Sequence, residues 1–246
     1  MKGSLNKSQI ERFSRQLVLK NIGAKGQKKI FSSKILIVGV GGLGCPAAEN
    51  LVRAGIGTLG LIDNDVINLS NIHRQSLFDS KDIKKSKVSV AAKKLKKINP
   101  LTKIKTYKSR LNKNNISKII KNYEIIIDGS DNFETKFLIN NYCLKLKKKL
   151  VTGAISKFDG HIFTFDFRNK KTASLSNFYQ EEKISDDILN CEFEGVIGTV
   201  ASIVGAIQAN EALKMIMKIG QKLKNQIFII DLLNLNFRKV KFKKTK

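Results

Sequence analysis

The sequence contains few cysteines and no long apolar run. Its three cysteines, at positions 45, 143 and 191, form neither a CxxC pair nor an even-numbered set, which excludes a disulfide framework and predicts a reduced, cytoplasmic protein. The run of apolar and small residues at 195–207 is thirteen residues long, shorter than the roughly 20 residues that a membrane-spanning helix needs. The N-terminal segment lacks the apolar stretch of a secretory signal. We therefore expect no association with a membrane.

Acidic residues are also scarce. Only 20 Asp and Glu stand against 46 Lys and Arg, which gives a formal net charge of +26. Such a charge usually indicates a polyanionic partner, but 39 of the basic residues are lysine and only 7 are arginine, a bias that A/T-rich codons alone produce. The densest basic stretch, 81–121, is therefore interpreted mainly as a solvated face, with steering of polyanions as the alternative. Nucleic acid is not the partner that we expect.

The order of apolar and polar segments predicts an α/β fold. Strand patterns alternate with helical patterns over residues 34–153, as in a Rossmann-like, doubly wound, mostly parallel sheet. After Gly160 the apolar period changes to two, which predicts C-terminal antiparallel strands. We expect a single domain over 1–246, with an N-terminal helical arm at 1–30, a nucleotide-binding core at 34–153, a closing half at 154–246 and a mobile loop near 169–190.

A short amphipathic helix is predicted ahead of the first strand. Residues 8–11 have the spacing of a capping box, and Ile10, Phe13 and Leu17 recur at helical spacing behind it. Arg15 lies off this apolar face. Since lysine would suffice for solubility, the rare arginine indicates a role in which its rigid, bidentate fork binds a phosphate or a carboxylate.

A glycine motif predicts a nucleotide site. Gly39-x-Gly41-x-x-Gly44 lies between a predicted strand and a predicted helix, where glycines permit a tight turn and let phosphates approach the helix N-terminus. Asp63 ends the next strand, nineteen residues after Gly44, and a carboxylate there accepts hydrogen bonds from ribose hydroxyls. This motif alone leaves the nucleotide open, with NAD as one alternative.

The loop that follows favours a nucleoside triphosphate. Residues 63–75 combine acids, amides and an arginine, for which a dinucleotide enzyme has no obvious use. Lys87 opens the helix behind this loop and can reach the same phosphates. Asp131, beside Asn132 at the carboxyl end of the fourth predicted strand, is placed to hold Mg²⁺. The alternative is a solvated loop and an aspartate that only caps a helix.

Five segments carry a resemblance to a known family: ERFSRQ, GVGGLGCP, LIDNDVINLSNIHRQ, KSKV and DGSDN. In this order they resemble the ThiF/MoeB/HesA adenylyltransferases, bacterial relatives of ubiquitin-activating enzymes, over nearly the whole chain. The resemblance implies ATP as a substrate, Mg²⁺, and a homodimer. It also implies a small ubiquitin-like sulfur carrier as partner, whose C-terminal Gly-Gly carboxylate is adenylated with release of pyrophosphate and then thiolated.

The resemblance further implies which residues form the site. The expected nucleotide-binding residues are Gly39, Gly41, Gly42, Gly44, Asp63, Asp65, Ser70, Asn71, Arg74, Gln75, Lys87, Asp131 and Asn132. Among them Asn71, Arg74 and Lys87 would bind the triphosphate. Asp131 would hold Mg²⁺, and Arg15 would reach into the partner subunit's site. Catalysis is expected to come from the positive charges of Arg15, Arg74, Lys87 and the Mg²⁺ that Asp131 holds. No general base is expected, because a carboxylate nucleophile is already ionised at pH 7.

The cysteines depart from the family pattern. Many members hold a structural zinc with two CxxC pairs, but the corresponding regions here contain no such pair, so zinc is not expected. Cys191 aligns with a family cysteine that precedes an apolar helix. It is either a sulfur-handling catalytic residue or an unreactive thiol beside two acidic residues. A structural role is favoured for Cys45, Cys143, His73 and His161.

Several points stay open at this stage. The sulfur donor is expected to be a separate protein, a cysteine desulfurase or a rhodanese, because no rhodanese-like segment is present. The carrier can serve thiamine synthesis, molybdopterin synthesis or both. Two other functions compete with sulfur-carrier activation. One is an NAD-linked oxidoreductase on the same fold, and the other is an RNA-binding or tRNA-modifying relative that uses the basic stretch.

Overall fold

A computed structural model describes residues 5–179 and 195–243. Its strands are β1 Lys34–Val38, β2 Thr58–Ile62, β3 Lys103–Tyr107, β4 Ile125–Asp128, β5 Lys149–Ser156, β6 Asp159–Asp166, β7 Gln226–Asp231 and β8 Asn236–Lys241. Its α-helices are α1 Lys7–Arg12, α2 Ser14–Leu17, α3 Gly23–Ser32, α4 Gly44–Arg53, α5 Lys87–Ile98, α6 Ile116–Ile120, α7 Phe133–Lys145 and α8 Gly198–Met217. The strands form one sheet in the order β3-β2-β1-β4-β5-β6-β7-β8.

The first five strands run parallel. β1 pairs with both β2 and β4, and the parallel ladder extends to β3 on one side and to β5 on the other. Helices α4, α5 and α8 cover one face, while α6 and α7 cover the other, which explains why β1 and β4 are apolar nearly throughout. Since α4 follows β1 on one face and α7 follows β4 on the opposite face, the carboxyl ends of β1 and β4 form a topological switch point, where open α/β sheets bind ligands.

The last strands run antiparallel, from the β5–β6 hairpin to β7 and β8. Phe163, Phe165 and Phe167 lie together in the core under α7, as the period of two predicts. The run of small residues forms the buried helix α8, whose apolar side chains join the core on the opposite face of the sheet. The predicted fold class, a mostly parallel sheet completed by antiparallel strands, is therefore confirmed.

The N-terminal arm differs from the prediction in its first turn. The capping box predicted at residues 8–11 is wrong, because Asn6 is the N-cap. Its Oδ1 accepts from the Gln9 N–H at 2.9 Å, and the Asn6 N–H donates to Gln9 Oε1 at 3.1 Å. Amide side chains thus satisfy the N–H groups that begin the helix, as Ser and Glu would. Phe13, buried against Phe31 at a ring-centroid distance of 5.1 Å, separates α1 from α2.

Only part of the predicted mobile loop at 169–190 is described. Residues 169–179 contain one short 3₁₀ turn, and Leu175 within it is buried in the core. Residues 180–190 lie outside the described residues. Of the helices in 5–179 and 195–243, including the twenty-residue α8, none has the length and apolar character to cross a membrane.

Candidate functional site

The glycine motif forms a tight turn between β1 and α4. Gly39 has φ +83°, a conformation that glycine adopts without strain, and a Cβ there would lie 2.8 Å from the Gly129 carbonyl oxygen. Gly44 packs so closely against the Gly39 carbonyl that no side chain fits. The helix α4 begins here with no side-chain cap. Its first N–H groups therefore face the carboxyl edge of the sheet, an arrangement suited to an anion.

Asp63 joins this turn to the end of β2. Its Oδ2 accepts from the Val40 N–H at 2.7 Å, and its Oδ1 accepts from the Asp65 N–H at 2.8 Å. Burial raises the pKa of Asp63, while these two N–H groups stabilise its charged form and oppose the rise. Each carboxylate oxygen retains a lone pair beyond these contacts. Asp63 can thus orient the glycine turn and still accept from a ribose hydroxyl.

Lys87 and Asp65 form an ion pair at the rim of the site. Lys87 is the first residue of α5, and its Nζ donates to Asp65 Oδ2 at 2.8 Å. The lysine side chain is 8% exposed, whereas the aspartate side chain is 57% exposed. The ammonium group is therefore held in place by packing, and its counterion is solvated. A phosphate oxygen arriving at this rim can replace that counterion.

Arg74 lies in the loop beyond β2, against the glycine turn. Its Nη1 donates to the Ser70 carbonyl oxygen at 2.8 Å and contacts His73 Nε2 at 2.8 Å. A Cβ at Gly42 would lie 3.6 Å from the methylene carbons of Arg74. The structure thus brings the arginine next to the predicted phosphate-binding turn.

Two amides support the same loop. Asn71 is buried, and its Oδ1 accepts from the Asn68 N–H at 3.0 Å, which closes the short 3₁₀ turn. Gln75 is 3% exposed, and its Oε1 has no hydrogen-bond partner among the described residues. Its Nε2 would lie 3.7 Å from a Cβ at Gly41. Asn71 therefore acts on the shape of the loop, while Gln75 faces the glycine turn.

Asp131 and Asn132 lie in the turn after β4. Asn132 caps α7 by accepting from the Thr135 N–H at 2.9 Å, and its amide donates to Asp131 Oδ1 at 3.2 Å. The exposed carboxylate of Asp131 is the type of ligand that Mg²⁺ takes together with substrate phosphates. Across 5–179 and 195–243, no three His, Cys, Asp or Glu side chains converge on one point. A cation bound by Asp131 would therefore also need phosphate oxygens.

Asp128 is a site residue that the sequence pattern did not identify. This fully buried carboxylate, at the end of β4, accepts from Lys136 Nζ at 3.2 Å, from the Ser130 N–H at 2.9 Å and from the Thr152 hydroxyl. The ion pair between Asp128 and Lys136 connects β4 to β5 and α7. It also fixes the start of the turn that carries Asp131. An aspartate that ends an apolar strand, with a lysine eight residues later on a helix, was the available signal.

Small residues bring α8 against the site. A Cβ at Gly198 would lie 2.5 Å from the His73 carbonyl oxygen, and one at Gly42 would lie 3.2 Å from Ala201 Cβ. Gly205 packs on the Leu43 carbonyl with no room for a side chain. Helix α8 therefore supports the glycine turn and the Arg74 loop from one face of the sheet.

Arg15 is not near this site within its own chain. It is exposed on α2, and the described part of the chain offers it no hydrogen bond or ion pair. The neighbouring Phe13 packs against Gly55, and Arg12 Nη1 donates to the Ile98 carbonyl oxygen at 3.0 Å. These contacts lie at the C-terminal ends of α4 and α5. Since α4 has ten residues, the arm lies about 15 Å along the helix from the glycine turn.

The described cysteines have a packing role. Cys45 and Cys143 are buried, and burial raises the pKa of the Cys45 thiol to about 12 and that of Cys143 well above its usual range. Both thiols are therefore protonated and unreactive at neutral pH. Burial also lowers the pKa of His161, so this side chain is neutral at pH 7. Cys191, the candidate for sulfur handling, lies outside the described residues.

Comparisons with known proteins identify the family. Residues 13–246 match the ThiF family. The sulfur carrier protein adenylyltransferase of Thermus thermophilus is 34% identical over 237 residues, which cover 95% of this chain and 88% of that protein. The probable molybdopterin-synthase adenylyltransferase of Gracilaria tenuistipitata is 37% identical over 238 residues. That match covers 97% of this chain but only 66% of the relative, so the chain spans about two thirds of the relative's length.

A solved structure supports the fold. The crystal structure of E. coli MccB with ATP superimposes with a TM-score of 0.84 at 23% identity, covering 98% of this chain and 73% of that one. At this identity the likeness concerns the fold alone. The sequence relatives identify the family as well as the fold, and they confirm the resemblance predicted from the five segments. The chain belongs to the ThiF family, the family of these adenylyltransferases.

Proposed function

We propose that this chain is an ATP-dependent adenylyltransferase that activates the C-terminal Gly-Gly carboxylate of a small ubiquitin-like sulfur carrier. One observation carries the proposal: a glycine turn, a ribose-binding type of carboxylate and two cations meet at the carboxyl edge of one sheet. The names of the sequence relatives support the same activity. NAD carries one pyrophosphate, so two cations at this rim favour a triphosphate over an NAD-linked oxidoreductase.

The chemistry explains why the site is cationic. A carrier carboxylate oxygen attacks the α-phosphorus of ATP, a new P–O bond forms, and the bond to the leaving pyrophosphate breaks. Anion approaches anion in this step, so the site must neutralise charge and align the groups. Arg74 and Lys87 supply positive charge without any covalent intermediate. The nucleophile is ionised at pH 7, so no side chain has to remove a proton.

The remaining site residues form the nucleotide pocket in this proposal. Asp63 accepts from the ribose, and the N-terminus of α4 receives a phosphate. The other pocket residues are Gly39, Gly41, Gly42, Gly44, Asp65, Ser70, Asn71, Gln75 and Asn132. Asp131 fits Mg²⁺, since its carboxylate is exposed and its neighbour Asn132 leaves one of its oxygens unengaged. When bound, Mg²⁺ would neutralise charge on the phosphates.

A homodimer would complete the site. Arg15 lies at the far end of α4 in its own chain, so only a second copy can bring this arginine to the phosphates. The arm around it exposes Val18 (74%), Leu19 (51%) and Ile10 (48%). Apolar side chains clustered on one segment favour burial in an interface. We infer that the dimer covers this arm and places Arg15 in the partner subunit's site.

The proposal also covers the domain organisation, the carrier-binding half and the source of sulfur. We infer one adenylation domain over 1–246, in which the half at 154–246 receives the carrier. A separate protein, a cysteine desulfurase or a rhodanese, would supply sulfur after adenylation, with or without Cys191. The carrier would serve thiamine synthesis, molybdopterin synthesis or both. A structural zinc is not part of the proposal.

Carrier-dependent exchange of labelled pyrophosphate into ATP tests this function. The reaction mixture contains Mg²⁺ and a purified ubiquitin-like sulfur carrier, and the matched control carrier lacks its last glycine. Exchange with the intact carrier alone is the expected result, because only this carboxylate reaches the α-phosphate. Absence of exchange with every Gly-Gly carrier tested, or NAD reduction instead, would contradict the proposal.

A further inference from the structure

The guanidinium of Arg74 is held at one of its nitrogens. Nη1 carries two protons, and it has two contacts at 2.8 Å, one with the Ser70 carbonyl oxygen and one with His73 Nε2. In the described part of the chain, no hydrogen bond involves Nε or Nη2 of this side chain. Those two nitrogens form the edge of the guanidinium that binds a phosphate in a bidentate manner. Anchoring Nη1 thus leaves the phosphate-binding edge available.

The contact with His73 specifies the state of the imidazole. Arginine has only donors, so Nε2 of His73 must be the acceptor. The imidazole is therefore neutral, with its proton on Nδ1. If both ring nitrogens carried protons, two cations would face each other and the hydrogen bond would be lost.

Packing holds the backbone that carries this pair. The His73 carbonyl lies against Gly198 of α8, where a Cβ would approach it to 2.5 Å, and the Arg74 methylenes lie against Gly42. The imidazole itself is exposed, and its contact with Nη1 of Arg74 at 2.8 Å defines its position.

We propose that His73 is a positioning residue: its neutral imidazole anchors Nη1 of Arg74 and turns the Nε and Nη2 edge towards the triphosphate. The inference rests on the proposed function, because it takes Arg74 as a phosphate ligand. It replaces the structural interpretation of His73 that the sequence favours.

ATP binding by the intact protein, with Mg²⁺ and without carrier, tests this role by calorimetry. His73→Leu removes the acceptor and should weaken binding about fivefold to tenfold near pH 8, the effect of one lost hydrogen bond. His73→Gln supplies a neutral acceptor of similar reach and should bind within about twofold of the wild type. In an Arg74→Ala background, His73→Leu should have no further effect on ATP binding. The four variants form a double-mutant cycle, which isolates the interaction between His73 and Arg74.

Rescue by the conservative variant separates positioning from a general structural effect. Wild-type affinity of His73→Leu, a His73→Gln variant that binds as weakly as His73→Leu, or an undiminished His73→Leu effect without Arg74 would each overturn the inference. Absence of ATP binding by the wild type, or an Arg74→Ala variant that binds normally, would instead count against the proposed function.

Discussion

Two lysine–aspartate pairs lie at the carboxyl edge of the sheet, one beyond β2 and one at the end of β4, and they differ in burial. The rim pair, Lys87 with Asp65, has an aspartate side chain that is 57% exposed; the inner pair, Lys136 with Asp128, is 6% and 0% exposed. The rim lysine can exchange its solvated counterion for a phosphate. The inner lysine cannot leave, because a fully buried carboxylate would lose its counterion. We therefore expect the pair beyond β2 to serve phosphate binding and the pair at the end of β4 to support the fold.

This difference predicts how each region responds to substitution. Changes at the rim should alter the reaction and leave stability nearly unchanged, since exposed ion pairs contribute at most about 1 kcal/mol. Changes to the inner pair should act through the free energy of unfolding. The following predictions are ordered by the size of the expected effect.

The largest effect is expected from Arg15 and Asp131, which we infer that different subunits contribute to one site. Arg15→Ala should lower pyrophosphate exchange about 10³-fold or more, as loss of an arginine that stabilises transferring charge does. Asp131→Ala should abolish Mg²⁺-dependent exchange, because the proposed metal ligand is lost. The melting temperature of each variant should stay at the wild-type value. The matched control is Glu134→Ala, which changes an exposed acid beside Asp131.

Mixing the two variants tests whether Arg15 acts in the partner subunit. If it does, an equal mixture of Arg15→Ala and Asp131→Ala should recover about a quarter of the wild-type activity once subunits have exchanged, the binomial expectation.

Two outcomes would revise that prediction. No recovery despite demonstrated subunit exchange would place Arg15 in its own subunit's site or outside catalysis. Normal exchange by Asp131→Ala would remove the assignment of Mg²⁺ to this carboxylate.

The next effect concerns the inner pair. Lys136→Met should lower the free energy of unfolding by about 3–5 kcal/mol, because it leaves a buried carboxylate without its cation. Urea denaturation measures this loss. Adding Asp128→Asn should restore part of the stability by removing the unpaired charge. A loss of unfolding free energy below about 1 kcal/mol, the range of exposed ion pairs, would mean that the inner pair does not differ from the rim pair in its contribution to stability.

A smaller effect on rate is expected from Lys87→Met. Exchange should fall about 10²- to 10³-fold, as when one preorganised charge donor is lost, while the unfolding free energy changes by less than about 1 kcal/mol. Lys85→Met is the control, because Lys85 is an exposed lysine near the same helix, paired with Asp82. Equal activity of the two variants would mean that Lys87 does not touch the phosphates.

The smallest effect is expected at Cys191. Cys191→Ser should exchange pyrophosphate like the wild type, because carboxylate attack on ATP requires no thiol. Any role of this cysteine should appear only in the later transfer of sulfur to the carrier. A folded variant that has lost exchange would show that Cys191 takes part in adenylation.

Much of the fold was predictable because its signals are local. β1, the glycine turn and β2 follow from short apolar runs and from glycines that a tight turn requires. Helix α3 was predicted only as part of a helical arm at 1–30, and α6 was not predicted. Glycines at positions 23 and 26 lower the helix propensity of α3, and the helix is stabilised by tertiary contacts, such as Gly26 against Met217. Propensity alone does not indicate such packing.

The candidate site was predictable to a similar extent. Asp63, Lys87 and Asp131 were identified as charged residues at predicted strand or helix ends, and Arg74 as an arginine in the loop after β2. The pairing of Asp128 with Lys136 depends on which face of α7 is buried, and the contact of His73 with Arg74 depends on a loop held by α8. Both features arise from packing between distant segments, so the local sequence does not reveal them.

A crystal structure with Mg²⁺ and a non-hydrolysable ATP analogue would show directly whether the rim pair binds the triphosphate. We expect the triphosphate to lie on the glycine turn and Lys87 Nζ to contact a phosphate oxygen in place of Asp65. Lys136 should remain on Asp128. A nucleotide bound elsewhere, or a Lys87 that stays on Asp65 without touching phosphate, would contradict the proposed roles of the two pairs.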